Sequence, residues 1–417
     1  MTAADHVLII STLDTKAGET RFLRECLIDR GVPVLILDAG IRGESPFPPD
    51  IRRDEVAHAA GSTLDDVRCL DHEGKALSVM TSGATRCAKK LFKEEKIKGL
   101  LGLGGSMGTT LGTGVMRAFP IGFPKLMIST MASRNTRGFV GNKDILMLHS
   151  VADLSGLNRI TRKILRQGAL AMAGMVKGGE TASAGTCPLA VISTLGTTEA
   201  CLVRLRQALE SSGMEVVTFH TNGSGGEAME DLIRTEDVAV VVDLSLHELM
   251  DHQVGGEYDA GPGRGKAALE KGIPTILIPG NTDFIVTGPK EQAADRFPER
   301  RMHSHNAAIT VVSATGQELS CLAGWISQMC HGARGKVTVI VPMGGFSAFD
   351  GPNGPLENPR ARQAFRKKIE ADLPHGIPCF FSKYHINDME FSQLILSCVE
   401  RLTGAKETSR LKQPTRY

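Results

Sequence analysis

The chain repeats itself at a constant offset. Residues 7 to 15 read VLIISTLDT, and residues 189 to 197 read LAVISTLGT. Each phrase leads into a helix-like stretch, a glycine and another apolar run: FLRECLIDRGVPVLILD after the first, RLRQALESSGMEVVTFH after the second. Ser11 aligns with Ser193, Leu27 with Leu209 and Gly31 with Gly213, always 182 residues apart. An offset that survives a strand, a turn, a helix and a second strand predicts two domains of one architecture in tandem. A pair of this kind is expected to hold a ligand in the crevice between its halves.

Length agrees with the repeat, since 417 residues exceed one ordinary core and suit two domains of roughly 200. Strands are expected at His6–Ile10, Pro33–Leu37, Lys98–Leu101 and Lys125–Ile128, then at Leu189–Ile192, Glu215–Phe219, Val238–Val242, Pro274–Ile278, Ala308–Val312, Val337–Val341 and Pro378–Phe381. These runs are short and continuous rather than alternating, as strands buried on both faces are. Between them, Leu23 and Leu27, like Leu205 and Leu209, sit four apart on one helix face. A longer helix is expected from about Leu157 to Met175. The predicted class is therefore α/β: two tandem doubly wound, Rossmann-like domains with mainly parallel sheets. The segment KGGETASAGT reads as the linker, which places the boundary near 177–187 and the domains at 1–180 and 186–417.

Composition narrows the role. Apolar residues make up 41% and charged residues 23%, a globular profile. A net charge of +2 recruits neither nucleic acid nor an anionic membrane, and one Trp and three Tyr give few stacking platforms. No apolar run reaches bilayer-spanning length, and the first twenty residues lack a secretory pattern. Nine cysteines without a CxxC pair fit reduced thiols, so a cytoplasmic location is expected.

In an open parallel sheet, ligands bind beyond the carboxyl ends of the strands. The first such loop is Ser11-Thr12-Leu13-Asp14-Thr15-Lys16 at a helix start, where hydroxyls, amides and a lysine suit phosphate or carboxylate; ordinary helix capping explains Ser, Thr and Asp equally well. The third loop, Gly102-Leu103-Gly104-Gly105-Ser106-Met107-Gly108-Thr109-Thr110, sets four glycines in seven residues after a buried strand, the composition of an anion cradle. It is neither GxGxxG nor GxxxxGK[ST]. The fourth, Ser129-Thr130-Met131-Ala132-Ser133-Arg134-Asn135-Thr136-Arg137, offers Arg134 or Arg137 to phosphate, or is a solvated surface loop.

In the second half, Asp243 ends a strand and His247 follows it, so both are candidate catalytic groups, although an aspartate there more often caps a helix. The glycine-rich run Asp259-Ala260-Gly261-Pro262-Gly263-Arg264-Gly265-Lys266 falls short of a P-loop. His303 and His305 lie on one side of an extended segment without a matched third metal ligand. No GxSxG elbow or Cys–His pairing is present.

Longer blocks carry a family resemblance: LDTKAGETRFLR, GLGGSMGTTLGTGVMRAFPIGFPKLMISTMAS, VGNKDILMLHSVADLSGLNRITRKIL, VGGEYDAGPGRGKAALEKGIP, HSHNAAITVV, PMGGFSAFDGPNGP and YHINDMEF. They resemble, over essentially the whole chain, the ATP-binding domain family named after a plant tobamovirus-resistance protein, long catalogued only as an uncharacterised protein family. The resemblance implies two α/β domains, ATP binding, a homodimer and, in some relatives, a TIM-barrel partner protein. The family's GDTK loop keeps Asp14, Thr15 and Lys16, with Leu13 in place of glycine. Its GGSxGT is intact as Gly104, Gly105, Ser106, Gly108 and Thr109. After the fourth strand, Arg134 stands where the family usually has a glycine.

The expected function is ATP binding with phosphoryl or adenylyl transfer to a small metabolite. Thr12, Asp14, Thr15, Lys16, Gly104, Gly105, Ser106, Gly108, Thr109 and Thr130 would hold the nucleotide, and Mg²⁺ would bridge its phosphates. Asp243, His247 and His305 would serve the second substrate. A regulatory protein that binds nucleotide without turnover is the alternative, and a sugar-nucleotide transferase is a third, permitted by architecture alone.

Overall fold

The computed structural model describes residues 6–178 and 187–404, which fall into two compact units. Most of the expected linker, residues 179–186, lies outside the described residues.

The first unit runs β1 (His6–Ser11), α1 (Leu13–Ile28), β2 (Val34–Asp38), α2 (Arg53–Ala59), α3 (Leu64–Arg68), α4 (Glu73–Lys93), β3 (Ile97–Gly104), α5 (Ser106–Met116), β4 (Lys125–Ser129), α6 (Arg137–Val140), β5 (Leu146–His149) and α7 (Arg159–Lys177). Its sheet is parallel throughout, in the order β2-β1-β3-β4-β5. Val7 and Ile9 of β1 pack on the layer of α1 and α7, while Leu8 and Ile10 pack on the layer of α4 and α5. Successive strand side chains point to opposite faces, and here both faces are covered, which is why the run does not alternate.

The second unit runs β6 (Leu189–Thr194), α8 (Glu199–Ser211), β7 (Glu215–His220), α9 (Ser224–Thr235), β8 (Val238–Ser245), α10 (His247–Val254), α11 (Ala267–Lys271), β9 (Thr275–Gly280), β10 (Phe284–Thr287), α12 (Lys290–Arg296), β11 (Met302–Ser304), β12 (Thr310–Ser313), α13 (Gly316–His331), β13 (Val337–Pro342), α14 (Pro359–Asp372), β14 (Cys379–Ser382) and α15 (Met389–Thr403). Its main sheet, read from the other edge, is β7-β6-β8-β9-β13-β14, again parallel. Both units thus place their first strand second from the edge and their third strand beside it, so the repeat seen in sequence extends to the order of the strands. Gly31 and Gly213 end equivalent helices with φ of +67° and +86°, a left-handed conformation that costs glycine nothing.

Four strand assignments differ from expectation, the short β11 (Met302–Ser304) among them. The run at Ala308–Val312 belongs to β12, and it joins β10 and β11 in a separate antiparallel sheet instead of the parallel one. Every residue of β12 is buried, and a short buried strand carries no sign of its direction. Strand β10 comes only three residues after β9, and β5 is a four-residue edge strand with an exposed Leu146; the sequence pattern signals neither. The helix expected at Leu157–Met175 is α7, started by Asn158, whose side chain accepts from the amides of Ile160 and Thr161.

Candidate functional site

In the first unit the chain leaves β1 toward β2 on one side and reaches β3 on the other. The loops after β1 and β3 therefore part, and a doubly wound sheet opens its crevice at that point. A cavity of about 690 Å³ lies there. Its walls are Thr12, Asp14, Thr15 and Lys16 after β1, Ala39, Ile41 and Arg42 after β2, Gly104–Gly108 after β3, and residues of α3, α4 and their connector. Eight of the ten candidate nucleotide-binding residues line it: Thr12, Asp14, Thr15, Lys16, Gly104, Gly105, Ser106 and Gly108.

The two others do not line it. Thr109 is fully buried, its hydroxyl 2.6 Å from Ser129 Oγ and 2.7 Å from the Gly105 carbonyl it donates to. Thr130 stands behind Gly105, its amide donating to the Gly104 carbonyl. Arg134 and Arg137 are exposed and do not line the cavity.

The glycines divide by role. A Cβ on Gly102 would lie 2.6 Å from Met127 Sδ, and one on Gly104 would lie 2.9 Å from Gly108 Cα. These residues let α5 pack closely on β3. Gly105 is different, because the nearest atom to its Cβ position is Thr130 Oγ1 at 3.8 Å. Packing does not demand a glycine there. Gly105 is also the N-cap of α5, and no side chain caps that helix. The first-turn amides of Ser106, Met107 and Gly108 have no carbonyl one turn back to receive them, and the helix dipole adds positive potential. An anion completes such a terminus.

On the opposite wall, Asp14 is a clamp. Its Oδ2 accepts from the amides of Ile41 (3.2 Å) and Arg42 (3.0 Å) and so ties the β1 loop to the β2 loop. Asp38 fixes the base of both loops, accepting from the amides of Leu13 and Gly40 while paired with Arg53. Lys16 breaks the helical geometry of α1 (φ −122°, ψ 20°) and lines the cavity with its ammonium outside any recorded hydrogen bond or ion pair. The wall contributed by the β2 loop, α3 and α4 is mixed, with Ile41, Val67, Leu70, Ala76 and Leu77 standing among Arg42, Arg68, Asp71 and Glu73. The residues present fit a phosphate-bearing ligand, with Lys16 and the free amides of α5 lining the same cavity. They give a magnesium ion no cluster of their own: Asp14 is engaged by amides, and among the described residues no group of three His, Cys, Asp or Glu is placed to hold a metal.

The second unit places the candidate acid and histidines in different surroundings. Asp243 is 2% exposed and receives a two-pronged contact from the fully buried Arg264, at 2.6 and 2.7 Å. The same guanidinium donates to Glu248 at 2.6 Å and lies 3.6 Å from Glu230. Glu248 in turn accepts from the amides of Gly223 and Gly226 at the start of α9. The anion site at that helix terminus is thus filled by the protein's own carboxylate. Burial raises the pKa of Glu230 and Glu248 against the lowering pull of Arg264. His247 is also fully buried. Its Nδ1 lies 2.7 Å from the Asn281 carbonyl, and its Nε2 is 3.3 Å from Asp251, close enough for charge pairing but not aligned as a hydrogen bond. Burial would lower its pKa, yet Asp251 and the Asn281 carbonyl hold it raised. Asp243 and His247 are both buried and engaged by the protein's own groups. His305 is exposed in the turn between β11 and β12, and His303 packs 5.0 Å from the Phe349 ring.

The comparison with known proteins decides the family. The N-terminal domain of the uncharacterised protein family UPF0261 matches residues 5–181, and its C-terminal domain matches residues 187–403. The chain belongs to UPF0261. A UPF0261 protein of Clostridium tetani is 39% identical over 344 residues, covering 82% of this chain and 85% of that protein. The ToMV susceptible protein tm-1(GCR26) of Solanum lycopersicum is 32% identical over 414 residues, 94% of this chain and 55% of its own length. The chain thus spans about half of the tomato protein. Among solved structures, the glycosyltransferase SsfS6 of Streptomyces sp. SF2575, complexed with thymidine diphosphate, aligns over 94% of this chain and 99% of its own, at 13% identity and a TM-score of 0.20. At that score it carries no argument. Among the described residues, no helix of this UPF0261 member is long and apolar enough to cross a membrane.

Sequence reading missed Arg42, Arg68 and Leu70 as cavity residues, because they stand after β2 and around α3, far in sequence from the glycine loop. Their signal was available in principle: the β2 loop neighbours the β1 loop in any sheet of this order.

Proposed function

We propose that the first unit binds a nucleotide, with ATP as its working ligand. The phosphates would lie on the amides that open α5, with Lys16 supplying positive charge. One observation carries this reading: an uncapped helix terminus and a lysine line one cavity. Phosphoryl or adenylyl transfer to a small metabolite is the chemistry to test, with any Mg²⁺ carried by the phosphates. A cytoplasmic homodimer, with or without a TIM-barrel partner, belongs to the same proposal.

A second reading is favoured by the burial of Asp243 and His247, two of the groups expected to serve the second substrate. In that reading nucleotide binding controls an interaction and no turnover takes place. Calorimetry decides the shared part. Wild-type protein is expected to bind ATP saturably, and Lys16→Ala and Gly105→Asp each to weaken it tenfold or more, since a charge-assisted hydrogen bond contributes about 1.5–3 kcal/mol. Equal affinity in all three removes this cavity from the site. Product formation from ATP with a metabolite panel then separates enzyme from switch.

A further inference from the structure

The mouth of the cavity carries a charge pair whose position gives it a second task. Arg42, in the loop after β2, bridges to Glu73 at the start of α4. Both side chains line the cavity, on facing segments of its wall. Both are well exposed, 77% and 62%, so water screens the pair and its hold is weak. The backbone on the Arg42 side does not depend on this bridge. Asp14 accepts the Ile41 and Arg42 amides, and the Arg68 Nε donates to the Ile41 carbonyl at 2.8 Å. The guanidinium can therefore change partner while its loop stays in place.

We propose that Arg42 is the residue by which this site counts phosphates, with Glu73 as the resident anion it gives up. This rests on the nucleotide reading of the cavity. The amides of α5 and Lys16 serve the first phosphates of any nucleotide. A longer, more highly charged chain competes with Glu73 for the Arg42 fork, whose planar donors match phosphate oxygens. A monophosphate leaves the Arg42–Glu73 pair closed. The site then prefers ATP to AMP because of a group at the cavity's rim.

The test is calorimetry with ATP, ADP and AMP on wild type, Arg42→Gln and Glu73→Gln, with thermal melting to verify folding. R42Q is expected to reduce the ATP-over-AMP preference about tenfold. E73Q is expected to raise it, because the competing carboxylate is gone. Opposite signs are what a purely structural latch would not give, since breaking a latch from either end has the same effect. If both variants shift the preference in the same direction, or neither shifts it, the assignment of Arg42 is overturned. If wild type binds none of the three nucleotides, the nucleotide reading itself fails, which is a different outcome.

Discussion

Replacing Arg264 with methionine probes the second unit at its most heavily charged point. The substitution keeps much of the side-chain volume and removes the cation that Asp243 and Glu248 contact at 2.6–2.7 Å. Breaking one buried pair by deleting a partner costs about 3–5 kcal/mol, and two carboxylates are orphaned here. That is a large share of the roughly 5–15 kcal/mol by which a domain is stable. With a urea slope of about 2–3 kcal/mol/M, the midpoint falls by about 1–2 M. The single tryptophan, Trp325 on α13, lies in the second unit and reports its unfolding by fluorescence. The deficit also has a sign in pH. Glu230 and Glu248, already raised by burial, lose the lowering pull of Arg264, so the native state binds more protons than the unfolded chain and the variant loses stability as pH rises above the ordinary carboxylate range. Arg264→Lys recovers only part of the loss, because a lone ammonium cannot match the fork. A midpoint within about 0.3 M of wild type for R264M, on the same slope, would refute the structural role given to Asp243.

Asp283, fully buried beside Asp350, has its carboxyl pushed up to about 8 by burial first and by that neighbour second. The folded chain keeps this proton where the unfolded chain loses it, near 4, so wild-type stability falls as pH rises from about 4 to 8. Asp283→Asn should flatten that slope in urea midpoints taken across the window, and an unchanged slope would assign it to other groups. Gly104→Ala should lower the melting temperature of the first unit, because its Cβ meets Gly108 Cα at 2.9 Å. Gly105→Asp should leave stability within a few tenths of a kcal/mol, because aspartate is a good N-cap, while ATP affinity falls; circular dichroism melts compare the two.

Much of the framework was legible because it is local. The 182-residue offset, the doubly buried runs at Val7–Ile10 and Ala190–Ile192 and the glycines at 31 and 213 each report on their own neighbourhood. The cavity loops after β1 and β3 were legible for the same reason, since a parallel sheet gathers the loops from its strand ends along one edge. The hidden features are pairwise and distant. Arg264 stands in a glycine-rich run that falls short of a P-loop, and only the fold brings Glu230, Asp243 and Glu248 around it. Asp243 and His247 read as reactive groups because they stand at a strand end, but position along a strand does not report depth. Gly102 and Gly104 look in sequence like parts of an anion cradle, whereas their absent side chains make room for Met127 and α5.

The most direct measurement is difference electron density from crystals grown with ATP. Phosphate density within hydrogen-bonding reach of the amides of Ser106, Met107 and Gly108, beside Lys16, is the predicted result. ATP ordered elsewhere on the protein while this cavity holds only solvent would contradict it.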